Sequence, residues 1–212
     1  MALISVREKN TIMMLVRQVL YTTFLVLAIF VLWKFAKQYR HIMFEENGPI
    51  ENIQCIVLVM AIFCFGLCAI LNKAWTPLLI GFMSMCFLAL CREQDAFWEN
   101  HLPVVSWKFG FLFPLVAAGY VGSHFRKLKG YLFSFFEMPA FHLMITAMVV
   151  IIPISECIGH RPFVTAIIGS DEYGRPIRRL IEESGELLGY LLILFAAIEL
   201  IFNIKSRQKL HK

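Results

Sequence analysis

Charge is what this chain has least of. Only 17% of its 212 residues are Asp, Glu, Lys or Arg, 59% are hydrophobic, and the mean hydropathy is +0.69. A soluble domain carries about 25% charge and about 45–50% apolar residues. The shortage excludes an ordinary soluble fold, and apolar runs recur along nearly the whole chain, leaving no room for a soluble second domain. The strict alternation of a barrel strand is also missing. Backbone polar groups in lipid must be satisfied within the segment, so the spans are expected to be helices.

Other absences narrow the chemistry. No CxxC occurs, and Cys55, Cys64, Cys68, Cys86, Cys91 and Cys157 lie mostly in apolar runs. They are expected to act as small hydrophobes, with a Cys91–Cys157 disulfide near the outer boundary as the alternative. The histidines His41, His101, His124, His142, His160 and His211 are scattered without an HxxxH or HxxE pattern, which argues against zinc. There is no GxSxG, Walker-type or dinucleotide-binding signature. Nothing suggests nucleic-acid binding, because the basic residues flank apolar spans and suit anionic lipid headgroups better. No small-residue cleavage site follows the first apolar run, so that run reads as a retained helix. No span shows an interruption deep in the membrane, which counts against an elaborate transporter.

What is present predicts an all-α polytopic membrane bundle of about six transmembrane helices, forming a single integral membrane domain over 1–212. Residues 1–18 read as an amphipathic lead-in and 205–212 as a basic tail. The spans are expected near Val19–Ala36, Ile50–Leu71, Trp75–Cys91, Val104–Gly122, Met138–Ser155 and Leu187–Ile204, the last entered through the charged stretch Arg178–Tyr190. Asn72-Lys73-Ala74 closes a helical hairpin between the second and third. His124–Lys129 reads as a basic loop and Tyr131–Phe136 as an interfacial stretch. A loop of roughly 20 residues precedes the last span. Six spans put both termini on one side, with 11 of the 20 Lys and Arg, while 12 of the 15 Asp and Glu fall at the other. The basic tail and the cluster at 126–129 favour cytoplasmic termini.

Depth counting then locates the polar chemistry. A bilayer core of ~30 Å takes about 20 helical residues. Counting along the spans brings Glu51, Arg92, Glu93, Asp95, Lys108, Glu156 and Glu182, Glu183 and Glu186 to one depth at the outer face. Glu182, Glu186 and Tyr190 share a helix face, Gly185 and Gly189 share another suited to close approach, and Glu51, Gln54 and Cys55 form a third polar face. Charges at such depth mark a functional site by default, with Glu186 the hardest to explain as an end charge. The ordinary alternative is that these residues cap helices, through pairs such as Arg178–Glu182, or lock packing as a buried network.

The functional reading is an outer-face site binding a cation, a proton or a polar headgroup. Carboxylates suit Mg²⁺, Ca²⁺ or Mn²⁺, with Glu93, Asp95 and Glu186 as candidate metal ligands. His142 and Glu199, near the opposite face, are a candidate relay. A membrane-embedded enzyme acting on a lipid headgroup and a structural or regulatory subunit are the competing classes. The expected partners are the lipid bilayer and an ion or headgroup ligand.

Four phrases stand out together: Phe44-Glu45-Glu46-Asn47-Gly48-Pro49-Ile50-Glu51, Arg92-Glu93-Gln94-Asp95, Trp107-Lys108, and Glu182-Glu183-Ser184-Gly185-Glu186-Leu187-Leu188-Gly189-Tyr190. On these phrases, from about residue 40 to the end of the last span, the chain resembles a family of uncharacterised multi-pass inner-membrane proteins of Gram-negative bacteria. The resemblance implies a bacterial inner-membrane location and no particular activity.

Overall fold

A computed structural model describes residues 6–39, 43–44, 48–95, 98, 106–158, 160–169 and 171–210. Glu45, Glu46, Glu99, His101 and Gly159, on which some expectations fall, lie outside the described residues. The chain divides into two compact units, Met1–Met43 and Phe44–Lys212. Among the described residues there are eight α-helices, and five helical segments are long and apolar enough to cross a bilayer. The protein is an all-α, multi-pass membrane protein.

The first unit holds α1, Val6–Tyr39. The lead-in is not a separate element: it runs unbroken into the first span, because nothing between Ile12 and Val19 breaks a helix. At the last turn Lys34 and Lys37 lie over the Phe30 and Trp33 rings, 5.0 and 4.0 Å from their centroids. Cations there suit both the aromatic faces and the negative helix end.

In the second unit, α2 (Pro49–Leu71) starts at Pro49, whose missing N–H costs nothing in a first turn. Asn72 stops it and accepts a hydrogen bond from the Ala74 amide at 3.2 Å, shaping a 3₁₀ turn, Lys73–Trp75, into α3 (Thr76–Glu93). The hairpin forms as its spacing predicts. A 3₁₀ turn, Trp107–Phe111, then leads into α4, Leu112–Ser123. The described part of the fourth expected span is therefore shorter than the roughly 20 residues a bilayer requires. The stretch read as a basic loop is instead the first turn of α5, Phe125–Phe136, which buries Leu128 and Phe135 and leaves its basic residues exposed.

The fifth span is α6, Pro139–Val149, continued by a π-helical segment, Val150–Ile158. Here the expectation of an uninterrupted span is corrected. Pro153 cannot donate to a carbonyl one turn back, and its ring needs room there, so the helix widens around it. The long loop expected next is also helical. It contains α7, Arg161–Ile168, closed by Gly169 at φ 76°, a left-handed position that favours glycine. From Asp171 the last helix, α8, runs 40 residues to Leu210, ~60 Å at helical rise.

α8 is the centre of the second unit. It packs against α2 on one side and against α6 with its π segment on another, while α2 packs on α3 and α3 on α4. Its apolar face, including Leu187, Leu191, Phe195 and Leu200, is buried. Apolar residues on the outer helices, such as Phe63, Ile70 and Leu115, point outward, as lipid contact requires. The Gly185–Gly189 face meets the π segment. A Cβ on Gly185 would lie 2.9 Å from the Ser155 Cβ, and one on Gly189 would overlap the Ile151 side chain. The buried Ser155 hydroxyl donates to the Glu182 carbonyl at 2.7 Å, tying the widened helix to α8.

At the other end of α8, the Gln208 amide donates to the Leu71 carbonyl at 2.8 Å. Trp75 packs there with Tyr131 and Phe135 of α5. Lys73, Arg126, Lys127, Lys129 and Lys205 belong to the elements that meet at this end. All six cysteines are free, so Cys91 and Cys157 are not bridged.

Candidate functional site

The site is built where the start of α2, the end of α3, the end of the π segment and the second quarter of α8 converge. Arg92, in the last turn of α3, is its hub. Nη1 donates to Glu156 Oε1 at 3.0 Å, and Nη2 donates to Glu93 Oε1 at 3.0 Å and to the Tyr190 hydroxyl at 3.1 Å. Nη2 also forms an ion pair with Glu186 Oε1. Tyr190, 2% exposed, donates its own proton to Glu93 Oε1 at 2.7 Å. Glu186 and Tyr190 reach the same guanidinium because they stand four residues apart on one helix face.

The wall opposite Arg92 comes from α2. Gln54 is fully buried, and its Nε2 donates both to the Glu183 carbonyl and to Glu183 Oε2, each at 3.1 Å. Rotating the amide by half a turn would set its oxygen against two acceptors, so the assignment is secure on chemical grounds. Gln54 Oε1 is then buried without a hydrogen-bond donor among the described residues. One carboxylate oxygen from each of Glu93, Glu183 and Glu186 lies within 4.8 Å of the others. Glu93 and Glu186 are buried and Glu183 is half-buried, while the Glu156 side chain is 54% exposed and faces the open side.

No family model, curated protein or solved structure matches the chain.

Of the expected residues, Arg92, Glu93, Glu183, Glu186 and Tyr190 are brought together. Glu51 lies half-buried one turn ahead of Gln54, at the edge. Glu182 pairs with Arg178 along its own helix, Arg178 Nε to Glu182 Oε2 at 3.6 Å, and it is Glu183 that joins Glu93 and Glu186 in the three-carboxylate group. Asp95 is not in the three-carboxylate group expected of it. At Gln94, the end of α3, the backbone leaves helical geometry, φ −108° and ψ 27°. Lys108 is exposed on its 3₁₀ turn, which instead lays Gly110 against Cys91 and Leu88.

The two relay candidates lie on helices that pack together, α6 and α8. His142 is exposed on α6, away from the buried Ala140, Met144 and Ala147, with Nδ1 3.1 Å from the Met138 carbonyl oxygen. Glu199 is fully buried on α8.

Gln54 and Glu156 were within reach of sequence reasoning. Gln54 is a lone amide in an apolar run, three residues after Glu51, and Glu156 lies at the depth of the layer. Ser155 gives no such signal, because only the π segment turns it toward α8. On the other side of the α2–α3 seam, Asn52, Cys55, Ile56, Phe87, Leu90, Cys91, Gln94 and Trp98 line an open groove of about 490 Å³. Gln94 Nε2 donates to Cys55 Sγ across it at 3.0 Å.

Proposed function

We propose that this protein is a bacterial inner-membrane protein that binds a cation in the polar cluster at the outer end of its bundle. One observation carries the reading: three clustered carboxylates face a single guanidinium. With Glu93, Glu183 and Glu186 ionised, Arg92 leaves two negative charges uncompensated among membrane-spanning helices, where unpaired charge is expensive. A bound cation removes that cost. A proton, a metal ion or the amine of a lipid headgroup all have the required sign. Glu156, exposed beside Arg92, marks the side from which the ligand enters. Cytoplasmic termini fit the gathering of Lys73, Arg126, Lys127, Lys129 and Lys205 at the opposite end.

A second reading has an observation of its own. Arg92 bonds three helical segments at once, so the cluster also serves as a packing lock of the kind a structural or regulatory subunit uses. Melting of the detergent-purified protein at constant ionic strength separates the two. Added Na⁺, Mg²⁺ or ethanolamine is expected to raise the wild-type midpoint for at least one cation. Glu186→Gln is expected to lose the rise, whereas Glu182→Gln, whose carboxylate serves Arg178, keeps it. A wild-type midpoint unmoved by all three, with Glu186→Gln still less stable, leaves only the lock.

A further inference from the structure

The same cluster carries more than the sign of its ligand. We infer that the cation is a hard divalent metal ion held by Glu93, Glu183 and Glu186, with Gln54 Oε1 as a fourth ligand. This rests on the cation-binding reading and goes beyond it by naming the ion class and the residue that completes the site.

Three observations converge. The first is spacing. Oxygens around a six- to eight-coordinate cation stand at about 2.0–2.6 Å from it, so two ligands are separated by at most about twice that distance. The three carboxylate oxygens lie within 4.8 Å of one another, inside the limit set by the longer distances of that range. Glu93 and Glu186 each direct Oε1 to Arg92, so each carboxylate keeps a second oxygen that Arg92 does not hold.

The second is charge closure. Arg92 and a divalent ion together carry three positive charges, which balance the three carboxylates shielded from solvent, Glu156 on the open side being hydrated; a monovalent ion leaves one negative charge over. The arginine thus acts as a built-in counter-charge rather than a competitor, provided that its guanidinium and the ion use different oxygens.

The third points to a ligand independently of the acidic cluster. Gln54 is wholly buried, its amide nitrogen is held against Glu183 by two hydrogen bonds, and its oxygen has no donor among the described residues. A buried acceptor left unsatisfied forfeits its hydration without return, so such a group calls for a partner. An amide oxygen is a customary ligand for Ca²⁺, Mg²⁺ or Mn²⁺ and a poor one for softer metals. An all-oxygen set without histidine or thiolate is unlike a zinc site.

Mn²⁺ is the probe. Titrated into the intact wild-type protein, it should lose its free-ion electron paramagnetic resonance signal at one equivalent per chain and recover it when Mg²⁺ or Ca²⁺ is added. Gln54→Leu and Glu183→Gln should each weaken Mn²⁺ binding tenfold or more. If these variants do not fold, pulsed resonance on the wild type still decides: bound Mn²⁺ should show no directly coordinated nitrogen. Strong nitrogen coupling, or unchanged affinity in both folded variants, overturns the inference. If Mn²⁺ does not bind but Na⁺ or ethanolamine raises the melting midpoint, the divalent assignment falls and the cation reading survives. If nothing binds, both fall.

Discussion

Arg92→Ala is expected to destabilise the protein by about 3 kcal/mol, the low end of the cost of breaking a buried ion pair, because one edge of the guanidinium meets solvent. The loss arises less from the bonds themselves than from what they leave behind: Glu93 and Glu186 remain buried, and the Tyr190 hydroxyl loses its donor. The cycle with Glu186→Gln makes this checkable. Removing one of the abandoned charges should recover part of the loss, so the double variant should be more stable than the sum of the singles by at least about 1 kcal/mol. Arg92→Lys keeps the charge but cannot span Glu156, Glu93 and Tyr190 with a planar fork, and should fall between. Denaturant unfolding in detergent measures the four variants against the wild type. Strict additivity would show that Arg92 and Glu186 do not share a network.

Gly185→Val is expected to cost about 2–3 kcal/mol and to weaken cation binding as well. The first added carbon would stand 2.9 Å from the Ser155 Cβ and 3.4 Å from its Cα, and a backbone atom cannot rotate away as the end of a side chain can. Either α8 or the π segment must move, at the usual cost of overpacking. Gly185 is adjacent to Glu186 and two residues from Glu183, so that movement displaces two cluster carboxylates together. Gly130→Ala, where nothing lies within 4 Å, is the control and should leave the melting midpoint nearly unchanged. Equal effects at both glycines would mean that the α8 contact with the π segment is not close-packed.

That contact also explains which parts of the site can be read from sequence. Depth is legible: a count of about 20 residues brings Glu51, Arg92, Glu93, Glu156 and the α8 glutamates to one level, because helical rise is fixed. Helix rotation is not. Glu182 and Glu183 stand equally well at that level. Which of them faces Gln54 depends on how Gly185 and Gly189 seat α8 against a segment that Pro153 has widened. The pair Arg92–Tyr190, 98 residues apart, lies beyond any local spacing rule.

Element boundaries follow the same division. α2 and α3 are bounded by proline at one end and Asn72 at another, and their limits match the apolar runs. Glycine, proline and charge around Arg161–Pro162 and Gly174–Pro176 resemble loop chemistry. Yet Pro162 opens α7, and Pro176 is tolerated near the start of α8, where few intrahelical bonds are lost. Lys108 and Asp95 show the limit of depth counting, since each depends on a helix end whose geometry departs from the α form.

The most direct test of the cation site is the dependence of the melting midpoint on the logarithm of cation concentration, at fixed ionic strength, for the wild type and a Glu183→Gln/Glu186→Gln double variant. That variant leaves Arg92 paired to Glu93 and Glu156, so the lock persists while two charges of the excess are removed. A ligand bound only by the folded state stabilises by about 1.4 kcal/mol per tenfold excess over its dissociation constant. The wild-type midpoint should therefore climb steadily with cation concentration while the double variant stays flat. Parallel slopes in the two proteins would contradict a site built from these carboxylates.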